Sequence, residues 1–269
     1  MELLHARPHV ALAGLVRGYT QRRAALSGEA IVAPLAARPD QFIEFYLADR
    51  FRVSPDGVAS ALSPEVVVVG PQSRRGIWLH LSGTLDVFTI RFQPTGFHRL
   101  FGVPMGEVAD QGLHAADVIG HRISRLEDAL RQAAGFAARV AAAEAWLAAQ
   151  AGSAMAPTLF DRAAAALLRQ GGRVRMDDLA RRAAVSPRHL QRRFVDAIGV
   201  APKLYARTVR LDAALAMRGR DPARRWTDIA YAAGFTDQAH LVREFRALAG
   251  DAPGAFMAEM SKLGPSAAR

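Results

Sequence analysis

The sequence contains no cysteine. Disulfides, thiolate metal sites and a cysteine nucleophile are thereby excluded, and a reducing, cytoplasmic location is the expectation that suits such a chain. An apolar run long enough to cross a bilayer is also missing, so no membrane partner is expected. The opening MELLHARPHVALAG is only mildly apolar and is interrupted by His and Arg, which makes a poor signal peptide. There is no G-x-S-x-G, no P-loop and no paired dinucleotide glycine motif. His80, His98, His114 and His121 lack the compact spacing of a metal site. Carboxylates such as Asp177/Asp178 and Glu127/Asp128 are adjacent, so on a helix they point apart and make poor acid–base couples. No catalytic residue, metal or cofactor is expected.

Acidic residues are scarce in one part only. Residues 158–269 hold 20 Lys and Arg against 11 Asp and Glu, whereas residues 1–157 hold 15 against 14. Nearly all of the net charge of +10 therefore sits in the C-terminal part. Basic charge gathered in one module is the electrostatic footprint of a polyanion binder.

The first part reads as strands from about residue 30 to 100. VVVV (66–69) lies between Pro64 and Gly70-Pro71, IWLHL (77–81) ends at Ser82-Gly83, and LDVFTIRF (85–92) alternates, with Phe88, Ile90 and Phe92 on one face. FIEFYL (42–47) and FRV (51–53) add two more, and Pro39-Asp40, Pro55-Asp56-Gly57 and Pro94 supply turns. Short strands at this spacing suggest a small barrel or sandwich. An interior lined by Phe42, Phe45, Trp78, Phe88 and Phe92 would be plain core or a pocket, the former favoured. After Pro94 helices follow: a short one at 95–101, then an Ala-rich stretch at 122–150 with a break near Gly135. Its apolar positions 123, 126, 130, 133, 137, 140 and 147 serve equally as a dimer seam or as packing on the same chain. Gly152, Ser153 and Pro157 mark a linker.

From 158 onward the pattern is helical, and it writes one structural sentence twice. The first copy runs Leu179-Ala180, Ala183, Val185-Ser186, Leu190, Phe194, Gly199, Ala201-Pro202, Tyr205; the second runs Ile229-Ala230, Ala233, Phe235-Thr236, Leu241, Phe245, Gly250, Ala252-Pro253, Phe256. Each reads as short helix, tight turn, second helix and exit, which is a helix-turn-helix. Ser186-Pro187 caps and opens the second helix of the first unit, and Thr236 or Asp237 does so in the second. Opposite the core stripes lie Arg188, Gln191, Arg192 and Val195 in one unit, and Gln238, His240 and Arg243 in the other, with Arg246 a turn further on toward phosphate. Arg and Gln can make bidentate contacts to guanine and adenine edges from a helix N-terminus. A long helix over 203–220, carrying Arg207, a further DNA-binding candidate, and Arg210 on a more polar side, would fix the spacing of the two units, so that helices starting near Pro187 and Gln238 enter successive major grooves.

These residues resemble the AraC/XylS family of bacterial transcription regulators, over about 160–260. The strongest match is DIAYAAGFTDQAHLVREFRALAGDAPGAF (228–256), with DLARRAAVSPRHLQRRFVDAIGVAPKLY (178–205) as the matching first unit. The resemblance implies a seven-helix bipartite domain that binds double-stranded promoter DNA and controls transcription, usually as an activator touching RNA polymerase. It puts base contacts at Arg188, Gln191, Arg192, Gln238, His240 and Arg243. The Arg188 position often carries another residue type, so no operator sequence carries over. Many N-terminal domains of that family are cupin-like barrels that bind a small effector and dimerise, so such a fold, an effector and a homodimer are what the family resemblance implies; residues 66–110 resemble the uncharacterised sensor-like domain found ahead of such modules, which names no ligand. The expected organisation is α+β: a β-rich domain at 1–121, a helical segment and linker at 122–157, an all-α double helix-turn-helix domain at 158–260 and a tail at 261–269. The alternative is an enzyme or metal-binding barrel tethered to DNA.

Overall fold

A computed structural model describes residues 2–55 and 58–262. Asp56-Gly57 of one expected turn, and residues 263–269 of the tail, lie outside the described residues. The N-terminal strands are β1 (Glu2–Ala6), β2 (Val16–Leu35), β3 (Phe42–Tyr46), β4 (Arg52–Pro55), β5 (Ala61–Leu62), β6 (Val66–Val69), β7 (Ile77–Phe92) and β8 (Gly112–His114). They form one antiparallel sheet in the order β1-β2-β7-β3-β6-β8, with β4 paired to both β5 and the first half of β7.

Two features differ from the sequence reading. The segments 77–81 and 85–92 are one strand, because Ser82-Gly83 makes a bend and not a turn. Gly83 takes φ +73° inside the strand, and the Asp49 carboxylate accepts the amide of Thr84 beside it at 2.7 Å. The partner β2 shifts register between Leu26 and Ile31 at the same level. These irregularities let two long strands curl. The second difference is closure. Among the described residues no ladder joins β1 to β8, so the sheet is curled but open, and the cupin-like barrel is not closed. Strand β1 and the first half of β2 lie ahead of the region in which the sequence pattern signals strands.

The two faces of this sheet are unlike. Ile43, Phe45, Val66, Val68, Phe88, Ile90 and Phe92 lie on the face covered by helices and share a core with Ile123, Leu126, Leu130 and Leu147. Phe45, Phe88 and Phe92 are thus helix-facing core and not the lining of an interior. The helices are α1 (Gly96–Phe101), α2 (Ala115–Ile119), α3 (Arg122–Gln132) and α4 (Phe136–Ala151). Gly135, at φ +90°, separates α3 from α4. The apolar positions of the Ala-rich stretch are therefore largely used inside the same chain, on the sheet, with Ile123, Leu126, Leu130 and Leu147 buried.

The seven helices α5 (Leu159–Arg169), α6 (Met176–Arg182), α7 (Pro187–Ile198), α8 (Pro202–Arg220), α9 (Trp226–Ala233), α10 (Gln238–Leu248) and α11 (Pro253–Ser261) complete the described chain. A capping box starts α5: the Asp161 carboxylate accepts the Thr158 amide at 2.7 Å, and Thr158 Oγ1 accepts the Asp161 amide at 3.4 Å. Two small cores follow. Phe160, Leu167, Leu179, Leu190, Phe194 and Tyr205 form the first. Leu211, Ala214, Ile229, Leu241, Phe245 and Phe256 form the second. Helix α8 supplies Tyr205, Ala206 and Val209 to one and Leu211 and Ala214 to the other, so it ties two small hydrophobic units into one object.

Candidate nucleic-acid interface

Helices α7 and α10 are built alike from the backbone outward. Ser186 Oγ accepts the His189 amide at 3.2 Å at the start of α7, and Pro187 occupies the first turn, where its missing N–H costs nothing. The Asp237 carboxylate accepts the His240 amide at 2.7 Å at the start of α10, so Asp237 and not Thr236 is the cap. The preceding turns use left-handed backbone, at Ala184 (φ 52°) in the first unit and Gly234 (φ 86°) in the second. Leu190 and Phe194, and Leu241 and Phe245, are buried. Burying that stripe turns the opposite one to solvent.

Arg188, Gln191, Arg192, Gln238, Arg243 and Arg246 lie on the solvent side of these helices. Among the described residues, the side chains of Arg188, Gln191 and Arg243 make no hydrogen bond or ion pair within the protein, which leaves them able to meet an external acceptor. The others are partly engaged. Arg192 Nη2 lies 3.1 Å from His189 Nδ1, and Thr227 Oγ1 donates to Gln238 Oε1 at 2.8 Å. His240 is half-buried; its Nδ1 accepts the Thr236 amide at 3.3 Å, and its ring packs edge-on against Phe235. A backbone donor at Nδ1 assigns the neutral ring's proton to Nε2, leaving that N–H to face outward. Arg207 is placed differently: its Nε donates to Glu244 Oε2 at 2.8 Å, bracing α8 against α10. Arg246 contributes its backbone carbonyl to Arg75 Nη1 at 3.2 Å.

The two exposed faces have different surroundings. The turn Met105–Glu107 of the N-terminal part packs on α7, and Gly199 at the end of α7 fits there because a Cβ would lie 2.7 Å from the Met105 carbonyl oxygen. Pro104, Gly106 and Glu107 form one wall of a cleft whose other wall is Arg188, Gln191, Arg192, Val195 and Asp196. Gln41 Nε2 donates to the carbonyl of Ile198 at 3.3 Å, which adds a second tether. Gln238 and Arg243 are exposed. Helix α10 instead touches the N-terminal part at its far end, where the amide of Ala37 donates to the Leu248 carbonyl at 2.8 Å.

Between the two parts lies a charged seam that the sequence reading did not identify. Asp40 receives Arg17 Nη1 at 2.8 Å and has Arg91 Nη1 at 3.8 Å. Burial would push the Asp40 carboxyl up, but Arg91, Arg17 and Arg38 together outweigh it and hold it below its ordinary value. Asp212 on α8 faces the same group. Burial first, and the Asp40 charge second, push its carboxyl up to about 6. In the sequence Asp40 is only part of a Pro-Asp turn, and Arg17 and Arg91 are only polar positions; no local signal ties them to Asp212.

The four histidines considered for a metal are dispersed: His80 Nε2 meets Ser54 Oγ at 2.7 Å, and His98 Nδ1 meets the Val103 carbonyl at 2.8 Å. Among the described residues no three His, Asp or Glu side chains gather as metal ligands. No helix among them is long and apolar enough to cross a membrane.

A helix-turn-helix domain family matches residues 179–259. A domain of unknown function, DUF6597, matches residues 4–114. The HTH-type transcriptional regulator Rv1931c of Mycobacterium tuberculosis (strain ATCC 25618 / H37Rv) is 50% identical over 46 residues, which is 17% of this chain and 18% of that protein. The C-terminal part thus carries a helix-turn-helix domain. Two solved structures agree with the fold of the chain along most of its length. ToxT from Vibrio cholerae (P21 form) superposes with a TM-score of 0.51 at 10% identity, covering 90% of this chain and 98% of ToxT. The apo form of a ToxT variant from Vibrio cholerae strain SCE256 gives 0.51 at 13% identity, covering 94% and 99%. At such identities the likeness concerns the fold alone. The Rv1931c match spans under a fifth of that relative's length, so what the whole chain does is argued from its own residues.

Proposed function

We propose that this AraC-type chain is a sequence-specific, double-stranded-DNA-binding transcription regulator. Helices α7 and α10 enter two successive major grooves, with Arg188, Gln191 and Arg192 reading one half-site and Gln238, His240 and Arg243 the other. Arg246 neutralises phosphate. The observation that carries this reading is the coincidence of two capped helices, each with a buried Leu/Phe stripe and an exposed Arg/Gln stripe, on the ends of one continuous helix α8. A dimeric regulator usually needs two copies to present such a pair; here a single chain does so, and a non-palindromic site follows. The likeness to Rv1931c, an HTH-type transcriptional regulator, supports the same assignment. The N-terminal part regulates the reader in response to a small molecule, and the regulator activates through contact with RNA polymerase; a homodimer would double the site.

The test is selection of genomic fragments followed by footprinting with the full-length protein across salt concentrations. The expected result is a discrete site with two protected patches about one helical turn (~34 Å) apart, which survives moderate salt. Binding that is only sequence-independent and collapses with salt would overturn the reading, because phosphate contacts alone behave that way. Activation is tested by transcription in vitro from the selected promoter with purified RNA polymerase.

A further inference from the structure

Residues 1–157 carry almost no net charge, yet two adjacent arginines, Arg74 and Arg75, stand where this part meets the end of α10. Both are exposed. They lie in the loop between β6 and β7, and that loop is held in one shape. The Gln72 amide donates to the Arg38 carbonyl at 2.9 Å, and the Arg38 amide donates to the Gln72 carbonyl at 2.8 Å. The Asp110 carboxylate accepts the Ser73 hydroxyl at 2.7 Å and has Arg74 Nε at 3.3 Å. Gly70 lies so close to the Val108 carbonyl that a Cβ would collide with it. An ordered loop presents its side chains without first losing the entropy of a mobile one.

Arg75 Nη1 donates to the Arg246 carbonyl at 3.2 Å, at the end of α10 where carbonyls lack partners inside the helix. That bond leaves most of the guanidinium donors unused. Among the described residues no carboxylate pairs with Arg75 or Arg246, and the Arg74 side chain is 78% exposed even with its Asp110 contact. Asp251, in the same corner, turns its carboxylate to the Ala252 amide at 2.7 Å. Closing the end of α10 takes one arginine; Arg74, which pairs only with Asp110 among the described residues, has no part in it. The dimensions of DNA suggest what the pair meets. Helix α10 has 11 residues, which is roughly 16 Å at 1.5 Å per residue, and the major groove is about 12 Å wide. A helix that reads from Gln238 and Arg243 therefore has its last turn at the groove edge, over phosphates. Arg246 falls there, and Arg75 and Arg74 add positive charge just beyond the helix end.

We propose that Arg74 and Arg75 bind the DNA backbone beside the α10 half-site, so that the N-terminal part is itself a portion of the DNA interface. This rests on the DNA-binding reading above and adds phosphates outside the patch that the helix-turn-helix units cover alone. The two arginines carry no base readout, because contacts to phosphate position a protein without reading sequence. Through them the β6–β7 loop and α10 hold one backbone together, so a shift of the N-terminal part against α10 changes affinity at that half-site.

The experiment is titration of the full-length protein across salt concentrations with two duplexes, one carrying a footprinted site and one of unrelated sequence. Arg74→Gln and Arg75→Gln should each make the slope of log affinity against log salt shallower by about 1, and the double variant by about 2, on both duplexes. The preferred site should not change. Changing both to Lys should keep the slope, since an ammonium also neutralises phosphate. Arg125→Gln makes the same charge change at an exposed position on α3, and should leave the slope as it is. Ethylation of phosphates flanking the α10 patch should interfere with binding of the unaltered protein and not of the double Gln variant. Should Arg75→Gln loosen the end of α10, thermal unfolding will report it, and Arg74→Gln, which leaves that bond in place, carries the test. Unchanged slopes in the Gln variants, or an equal loss with Arg125→Gln, would overturn the proposal. With footprints intact, that result leaves the DNA reader standing. A shallower slope in the Gln variants on the unrelated duplex, without any discrete footprint, leaves the arginine contacts standing and removes the sequence-specific reading; no DNA binding at all removes both.

Discussion

Helices α7 and α10 carry nearly the same local sequence, yet their surroundings are not equivalent. Both have an oxygen cap, a buried Leu/Phe pair and an exposed polar stripe. Both stripes are exposed, and that of α7 also faces Pro104, Gly106 and Glu107 across an open cleft. A duplex meeting α7 in this arrangement also meets the N-terminal part, and Glu107 adds like charge to the approaching phosphates. Similar local rules therefore produce two exposed stripes with different neighbours. The difference comes from what a distant segment of chain packs against.

The largest effects should come from the part of the comparison in which the helices are equal. Phe194→Ala and Phe245→Ala each empty a fully buried ring site and should each cost about 3–5 kcal/mol in denaturant unfolding. Hydrogen exchange should show the loss centred on α5–α8 for the first and on α8–α11 for the second. Equal deprotection of both units by either change would mean that the two cores are not separable. Next is the readout. Arg243→Ala should weaken specific binding by ~1–3 kcal/mol with the fold intact, and an unchanged site preference in a binding titration would remove Arg243 from the reading set. Glu107→Gln should favour α7, so footprint protection by α7 is expected to rise while the α10 patch stays constant; a uniform rise in both patches would make Glu107 a general charge effect.

The caps allow a finer contrast. Ser186→Ala and Asp237→Ala should each cost ~1 kcal/mol in thermal unfolding. Asp237 should be the larger, because its carboxylate also meets the positive end of the helix dipole. Equal losses would show that the dipole contribution is screened. The subtlest expectation concerns the seam. The Asp212 carboxyl titrates higher when folded (about 6) than when unfolded, so the folded state binds the extra proton. The associated stability is fully present below the unfolded carboxylate range and is lost as pH rises through about 6. Unfolding followed from about pH 4 to 7 should reveal that loss, and Asp212→Asn should flatten it; an identical profile in the variant would place the titration elsewhere.

Much of the reader is legible because its signals are local. Ser186-Pro187, Gly234 and the Leu/Phe spacing act within a few residues of themselves, and the structure follows them. Gly135 likewise breaks the Ala-rich stretch where a residue without a Cβ can adopt positive φ. The strand β2 is not legible in its first half. Arg17, Gln21, Arg22 and Arg23 interrupt its apolar pattern, and they are tolerated because Asp40, Glu44 and Asp86, on other segments, supply partners. Ser82-Gly83 reads as an ending because a Ser-Gly signal does not say whether the chain turns back or merely bends; the register of β2 alongside decides.

The sequence by itself determined the two helix-turn-helix units, their caps and the polarity of their outward stripes, since all of these follow from interactions along one helix or across one turn. Only the tertiary structure decided that the sheet curls without closing, that Phe45, Phe88 and Phe92 lie under helices, and that α7 alone has the Met105–Glu107 turn packed beside it. Those outcomes depend on which side of a strand faces which neighbour and on charges brought together from residues far apart in the chain. Alternation along a strand shows that its two faces differ; packing alone settles what each face meets.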